Sequence, residues 1–377
     1  MKKQSLDERF NGSSLDFIKS ILEEQLKAQI TRQPDGDFLN QFERVIIGDA
    51  TRFDVPKDMK EQLPGFSGKV SSQAGISIQF EFDIKGGKIL DLHLGPAVVS
   101  DSKYVAQKKE NISKGDMYIR DLGYYSTELL TYINKQEAWY CSRLNQKVNV
   151  YQKIENQYKQ LSFSKLYANM RKKGIHQLEL EVYVGQKEKM HTRLIVEIMP
   201  DDIYAKRVRK IEYYNKHNGH QTSREQKDRM KFNLFITNAS PEKLVTEHVY
   251  LLYKIRWQIE LWFKIWKSTF ALDKLPKMKY NRYLCMIYAK LLLVFIYYEI
   301  IINIESLLYQ VTCRKLSLDK CFKTIKMYTN INQLILQKQL KKIKEIIEKL
   351  AGIFENRHWL ESRKNRIGLN ELNELFI

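Results

Sequence analysis

An uninterrupted alternation of apolar and polar residues over 76–84 is the pattern that most limits how this chain can fold. Isoleucine and phenylalanine fill the even positions, and polar residues fill the odd ones. A period of two is that of a β-strand with one buried face. Residues 85–88, Lys-Gly-Gly-Lys, form a turn signal, and Leu90, Leu92 and Leu94 continue the alternation. The sequence therefore predicts a β-hairpin here.

Other apolar runs predict a mixed α/β domain around this hairpin. Strand patterns cover residues 44–48, 117–120, 139–144 and 232–237, and helical patterns cover residues 102–109 and 126–135. The first two of these strands are each followed by an aspartate, Asp49 and Asp121. The strand at residues 44–48 and the two strands of the hairpin are predicted to be antiparallel, and helix, strand, helix and strand follow them. This is the ribonuclease-H-like order. We therefore predict an α/β fold in which helices flank a ribonuclease-H-like mixed sheet.

Residues 146–231 interrupt this order and predict a β-rich insertion domain that includes a basic helix. Within 205–231, nine Lys or Arg face three Asp or Glu. From Ser240 a long helix is expected, with Pro241 at its first position. Four domains are predicted. The first part of the catalytic core covers residues 1–145, and the insertion covers residues 146–231. The rest of the core, with that long helix, covers residues 232–282, and a helical C-terminal region covers residues 283–377.

The charge of the chain predicts a polyanionic partner. Its 63 basic and 44 acidic residues give a net charge of +19, which favours nucleic acid or an anionic membrane. The longest apolar run, residues 291–298, is far shorter than the roughly 20 residues of a spanning helix. No signal peptide is visible at the start, and the four cysteines form no CxxC pair. These features predict a cytoplasmic, nucleoid-associated protein without a membrane partner.

One helical segment carries an ordered set of polar residues. On a continuous helix Tyr253, Arg256, Glu260 and Lys267 fall within a stripe about 60° wide. On a generic helix such a stripe is most often a solvated salt-bridge face. Here the segment is rich in tryptophan and follows two strands that each precede an aspartate.

Three carboxylates are therefore expected to meet at one edge of the sheet. Asp49, Asp121 and Glu260 would repel one another there unless a divalent cation neutralised them. Carboxylate oxygens suit Mg²⁺ or Mn²⁺. The three residues are thus the predicted catalytic and metal-binding residues.

The spacing Tyr-x2-Arg-x3-Glu-x6-Lys resembles the signature helix of bacterial insertion-sequence transposases of the DDE superfamily, family four. The segments around Leu6, Asp49 and Asp121, and the strand before residue 238, resemble further motifs of that family in the same order. The resemblance covers nearly the whole chain. It implies that the β-rich insertion lies between Asp121 and Glu260, which are 139 positions apart.

The resemblance also implies the chemistry. It suggests two Mg²⁺ (or Mn²⁺) ions on the three carboxylates, and cutting and joining of double-stranded DNA, the transposon ends and the target, by a homodimer. Tyr253, Arg256 and Lys267 are implied contacts to the DNA backbone. Relatives stack a flipped base on an aromatic residue of the insertion. The candidates for that residue are Tyr204, Tyr213, Tyr214 and Phe232.

The basic composition of the insertion is the only signal for further DNA-binding residues. Arg207, Arg209 and Lys210 are predicted to contact DNA, and a solvated basic face is the alternative.

A second function stays open. Members of the family usually carry an all-helical DNA-binding domain before the segment that starts at Leu6, whereas only a few residues precede Leu6 in this sequence. The second function is that of a truncated, non-catalytic protein that binds transposon ends or inhibits the full-length transposase. A structure-specific nuclease is a third hypothesis.

Overall fold

The structure is a computed structural model that describes residues 7–29, 37–65, 73–186 and 188–361. Leu6 of the opening motif lies outside these residues. The strands are β1 (Val45–Val55), β2 (Ala74–Asp83), β3 (Lys88–Pro96), β4 (Met117–Arg120), β5 (Trp139–Arg143), β6 (Val150–Ile154), β7 (Gln157–Gln160), β8 (Gln177–Val184), β9 (Met190–Ile198) and β10 (Phe232–Thr237).

The helices lie before, between and after these strands. They are α1 (Gly12–Lys27), α2 (Asp101–Gln107), α3 (Thr127–Lys135), α4 (Phe163–Lys173), α5 (Asp201–Asn218), α6 (Arg224–Arg229), α7 (Thr246–Lys254), α8 (Trp257–Lys264), α9 (Tyr280–Thr312), α10 (Leu318–Ile325), α11 (Ile331–Leu336) and α12 (Leu340–Arg357). A π-helical segment, Ile265–Thr269, follows α8 directly.

The chain forms two compact units. Unit 1 comprises the described parts of Met1–Asp37, Ala50–Val99 and Trp257–Ile377, and unit 2 comprises Phe38–Asp49 and Ser100–Arg256. Strand β1 therefore contributes its first half to unit 2 and its second half to unit 1. The division into four domains that the sequence suggests stays a prediction.

Unit 2 is built on a mixed sheet. Its strands follow the order β1-β4-β5-β10-β9-β8-β6-β7. β4 runs parallel to both β1 and β5, whereas β10 is antiparallel to β5 and β9. The predicted mixed α/β class is confirmed by this pairing.

Unit 1 contains the predicted hairpin and the helical C-terminal region. β2 and β3 pair antiparallel from Ile76↔Pro96 to Asp83↔Lys88. The largest buried side chains of α8 and the π-helical segment, Trp262 and Trp266, pack on Phe80 of β2, with ring centroids 5.5 and 5.0 Å away. The apolar face of this hairpin and the tryptophans thus form one core.

Helix α9 is the longest helix of the described residues and also belongs to unit 1. By length and composition it could cross a membrane, and half of its most apolar window is buried inside the protein. Core helices of soluble proteins have the same properties. The longest uninterrupted apolar run underestimates the length of this helix, because the run ends before Glu299 whereas the helix continues to Thr312. α1 packs along it, with the Lys19 ammonium over the ring of Tyr288.

Two local predictions are wrong. β1 does not end at Asp49 but continues to Val55, because Thr51, Phe53 and Val55 keep the alternation and are buried. The long helix does not begin at Ser240. The Ser240 carbonyl accepts hydrogen bonds from the amides of residues 243 and 244 in a single turn, and the extended backbone of Val245 then separates this turn from α7.

Candidate active site

Asp49 and Asp121 lie at the same level of two neighbouring parallel strands. Gly48 of β1 pairs with Arg120 of β4, and the two aspartates are the residues that follow this pair. Asp121 keeps an extended backbone (φ −72°, ψ 164°) before the chain turns away at residue 122. Since neighbouring strands lie about 4.8 Å apart, the register places the two carboxylates side by side.

Arg256 forms an ion pair with the first of these aspartates. Its Nη1 donates to Asp49 Oδ2 at 2.7 Å, and the two side chains are only 17% and 19% exposed. Partial burial makes such a charge-assisted hydrogen bond stronger than a surface pair. Arg256 thus offsets the negative charge of Asp49.

Tyr253 faces the second aspartate. Its hydroxyl donates to Asp121 Oδ1 at 3.5 Å, and the Arg256 guanidinium lies 6.0 Å from the centre of its ring. Burial raises the pKa of Tyr253 to about 12, with the Asp121 charge acting in the same direction and the Arg256 charge opposing it. At neutral pH the phenol is therefore a proton-bearing donor, aimed at Asp121.

The other two residues of the signature lie in unit 1. Glu260 is exposed and stands in the first turn of α8. Lys267 lies in the π-helical segment, where its Nζ donates to the Arg52 carbonyl at 3.1 Å. The expected single helix is interrupted, since α7 ends at Lys254 and α8 begins at Trp257.

A pocket lies beside Asp121 in unit 2. Four tyrosines line it, Tyr118, Tyr124, Tyr125 and Tyr140. The Tyr125 hydroxyl is buried, has no hydrogen-bond partner among the described residues, and burial raises its pKa strongly. The pocket gives Asp121 an aromatic wall on the side of α3.

The three basic residues predicted for DNA differ in what they contact. Arg207 is turned inward, with Nη2 donating to Asn233 Oδ1 at 2.9 Å and Nη1 to the Phe232 carbonyl at 3.3 Å. Arg209 and Lys210 are exposed on the outer face of α5. Arg209 and Lys210 are thus more exposed than Arg207, whose exposure is intermediate.

The aromatic candidates for base stacking differ in how far their rings are exposed to solvent. Phe232 is 2% exposed and packs against the rings of Phe163 and Tyr167, so no base can stack on it. Tyr213 and Tyr214 are 68% and 55% exposed and lie on the same helix as the basic pair.

Sequence reasoning missed Arg193 and Glu179, which join β9 to β8 in an ion pair between a buried guanidinium and a partly buried carboxylate. The one signal available in the sequence was the position of Arg193 directly before the apolar run of residues 194–196. Such a residue needs a buried partner.

Metal binding requires acidic groups that converge. In the described parts of the chain, no cluster of three or more His, Cys, Asp or Glu residues is placed to hold a metal ion. Asp49 and Asp121 are nevertheless adjacent oxygen donors of the type that Mg²⁺ and Mn²⁺ prefer, and so their chemistry fits such an ion.

Comparison with known proteins identifies the class. Residues 40–296 match the family described as the transposase DDE domain, which is about two thirds of the chain. The chain therefore belongs to the DDE transposase family of bacterial insertion sequences. The sheet order and the adjacent aspartates of unit 2 are consistent with the ribonuclease-H-like fold of that family.

Individual relatives narrow the comparison. The chain is 30% identical to the transposase for insertion sequence element IS231E of Bacillus thuringiensis subsp. finitimus, over 94% of this chain and 77% of the relative. It is 26% identical to the transposase for insertion sequence element IS1151 of Clostridium perfringens, over 97% of this chain and 80% of the relative. The resemblance inferred from the motifs is thus confirmed for DDE transposases, and the assignment to family four stays a prediction.

Proposed function

We propose that this protein cuts and joins DNA ends during cut-and-paste transposition, with Asp49, Asp121 and Glu260 as its catalytic carboxylates. The observation that carries the proposal is the pair of aspartates at one level of the sheet. Tyr253 and Arg256, the first two residues of the signature, each contact one of them. In a chain of this family, such an arrangement favours phosphoryl transfer over a purely structural role.

The three carboxylates are the proposed ligands of two Mg²⁺ or Mn²⁺ ions. Bound ions of this kind supply activation of water or of a DNA 3′-hydroxyl and stabilisation of the leaving oxygen. Arg256 holds the Asp49 carboxylate in place, and Tyr253 donates to Asp121. Both side chains, together with Lys267, are also the proposed contacts to the phosphates beside the cut.

The substrate proposed is double-stranded DNA, both the element's ends and the target, bound by a homodimer acting on the nucleoid in the cytoplasm. The net charge of +19 supports a polyanionic substrate. The exposed face of α5, with Arg209 and Lys210, supplies part of the basic surface.

The test is a cleavage assay with the full chain and labelled duplexes that carry the inverted repeats flanking the gene. We expect nicking that leaves a 3′-hydroxyl in Mg²⁺ or Mn²⁺ and none in EDTA, because the carboxylates alone cannot activate water at a phosphodiester. Cleavage undiminished by EDTA would contradict the metal-dependent mechanism. Tight binding without cleavage in either metal would favour the non-catalytic DNA-binding alternative.

The α5 surface gives a second prediction. The double variant Arg209→Ala, Lys210→Ala should lower the slope of log affinity against log salt by about 2, since each lost phosphate contact removes about 1. Binding of a fluorescent duplex, measured across a salt series, checks this. Lys27→Ala, on the exposed surface of α1, is the matched control and should leave the slope unchanged. A double variant with the wild-type slope would remove α5 from the DNA interface.

A further inference from the structure

A buried arginine of β9 forms an ion pair with the neighbouring strand β8 in unit 2. Arg193 is 4% exposed, and its Nε and Nη2 donate to the two carboxylate oxygens of Glu179 in β8 at 2.7 and 2.6 Å. This is the two-pronged geometry that makes arginine–carboxylate pairs strong and directional. The hydrogen bonds from Arg193 hold the pKa of Glu179 below its usual value, so the pair is charged at neutral pH.

The same pair also fixes the loop between β10 and α7. Arg193 Nη1 donates to the carbonyls of Ala239 and Leu244, the latter at 2.9 Å. Thr246, the first residue of α7, donates its hydroxyl to Glu179. Both ends of the loop are therefore tied to one ion pair on the β8–β9 hairpin.

The loop leads directly to the residues that contact the aspartates. α7 runs from Thr246 to Lys254 and carries Tyr253, and Arg256 follows two residues after its end. Because a helix transmits a displacement of its first turn to its last turn, a shift of the loop moves the Tyr253 hydroxyl and the Arg256 guanidinium. The pair resists such a shift, because Arg193 Nη1 holds two carbonyls of the loop while Nε and Nη2 anchor the same guanidinium to Glu179 of β8.

We propose that Arg193 and Glu179 are positioning residues, which set Tyr253 and Arg256 against Asp121 and Asp49. This inference rests on the proposed function only where it predicts a rate. Its structural part, that the pair holds the loop and α7 in place, stands independently of catalysis.

The test compares two buried arginines of unit 2. Arg193→Lys keeps the charge but cannot serve a carboxylate and two carbonyls together. Arg229→Lys is the matched control, since Arg229 is 3% exposed and donates to the carbonyls of Gln146 and Val148 and to Glu225, away from residues 239–256. Three quantities are measured for each variant, namely affinity for uncut duplex, single-turnover cleavage rate at saturating DNA, and amide hydrogen exchange.

For Arg193→Lys we expect a cleavage rate lower by about 100-fold, as a displacement near 1 Å produces, and faster exchange across residues 239–256. Affinity for uncut duplex should fall far less than the rate, because only the contacts of Tyr253 and Arg256 are displaced. Arg229→Lys should retain the cleavage rate and alter exchange only around its own contacts. Glu179→Gln, which preserves the shape of the acceptor, should shift rate and exchange in the same direction as Arg193→Lys by less.

Wild-type rate and wild-type exchange in Arg193→Lys would overturn the inference, as would equal losses of rate in the Arg193 and Arg229 variants. A wild-type protein that binds but never cuts would instead count against the proposed function. The exchange comparison would then still decide whether the pair positions α7.

Discussion

Glu260→Gln is expected to reduce metal-dependent cleavage severely while leaving DNA binding intact. Stabilisation of the transition state by bound divalent ions is worth several kcal/mol, and each 1.4 kcal/mol is a factor of ten in rate. Loss of one carboxylate ligand should therefore slow single-turnover cleavage by about 1,000-fold. Asp49→Asn and Asp121→Asn should show losses of the same order.

The control for this series is Glu247→Gln. Glu247 is an exposed acid in the first turn of α7, and its substitution changes the net charge by the same amount. Cleavage of the labelled duplex by Glu247→Gln should equal that of the wild type. Equal activity of Glu260→Gln and wild type would remove Glu260 from the mechanism, and a matching loss of DNA affinity would show that its role is binding.

Trp262→Ala should produce the largest loss of stability in unit 1. Trp262 is 2% exposed, and its ring lies 5.5 Å from Phe80, 5.6 Å from Phe82 and 4.6 Å from Tyr298, measured between centroids. Truncating a buried tryptophan costs about 3–5 kcal/mol, because transfer energy and packing are both lost. Urea unfolding followed by far-UV circular dichroism measures the change.

Phe17→Ala is the matched aromatic control, because Phe17 on α1 is 64% exposed. Its substitution should change the free energy of unfolding by less than about 0.5 kcal/mol. If both variants unfolded at the same urea concentration, the aromatic cluster would not be the core of unit 1.

Local patterns in the sequence predicted most strands correctly. β4 occupies residues 117–120 and β10 occupies residues 232–237, as expected from short apolar runs bounded by polar residues. The hairpin of β2 and β3 followed from strict alternation and a glycine turn. These elements were accessible because their signal depends on side-chain period and turn chemistry, both properties of contiguous residues.

Local signals misplaced the start of the helix that leads to the signature. Ser240 and Pro241 have the composition of a helix start, yet the loop that they begin is held by Arg193. Arg193 is more than 40 residues away in the sequence. No local pattern shows that hydrogen bonds from a distant arginine hold residues 239–244 as a loop, in place of the helix start that Ser240 and Pro241 indicate. The inward orientation of Arg207 has the same origin, since its acceptors lie on β10.

The amino-acid sequence by itself determined the family, the α/β class and the identity of the residues proposed for catalysis, because motif spacing and periodicity are written along the chain. Only the tertiary structure decided that Asp49 and Asp121 follow paired residues of parallel strands, and that Arg256 and Tyr253 each contact one of them. It also decided that a buried arginine from another strand fixes the approach to α7. These are relations between residues distant in the chain, and they exist only once strand register and burial bring their side chains within hydrogen-bonding distance.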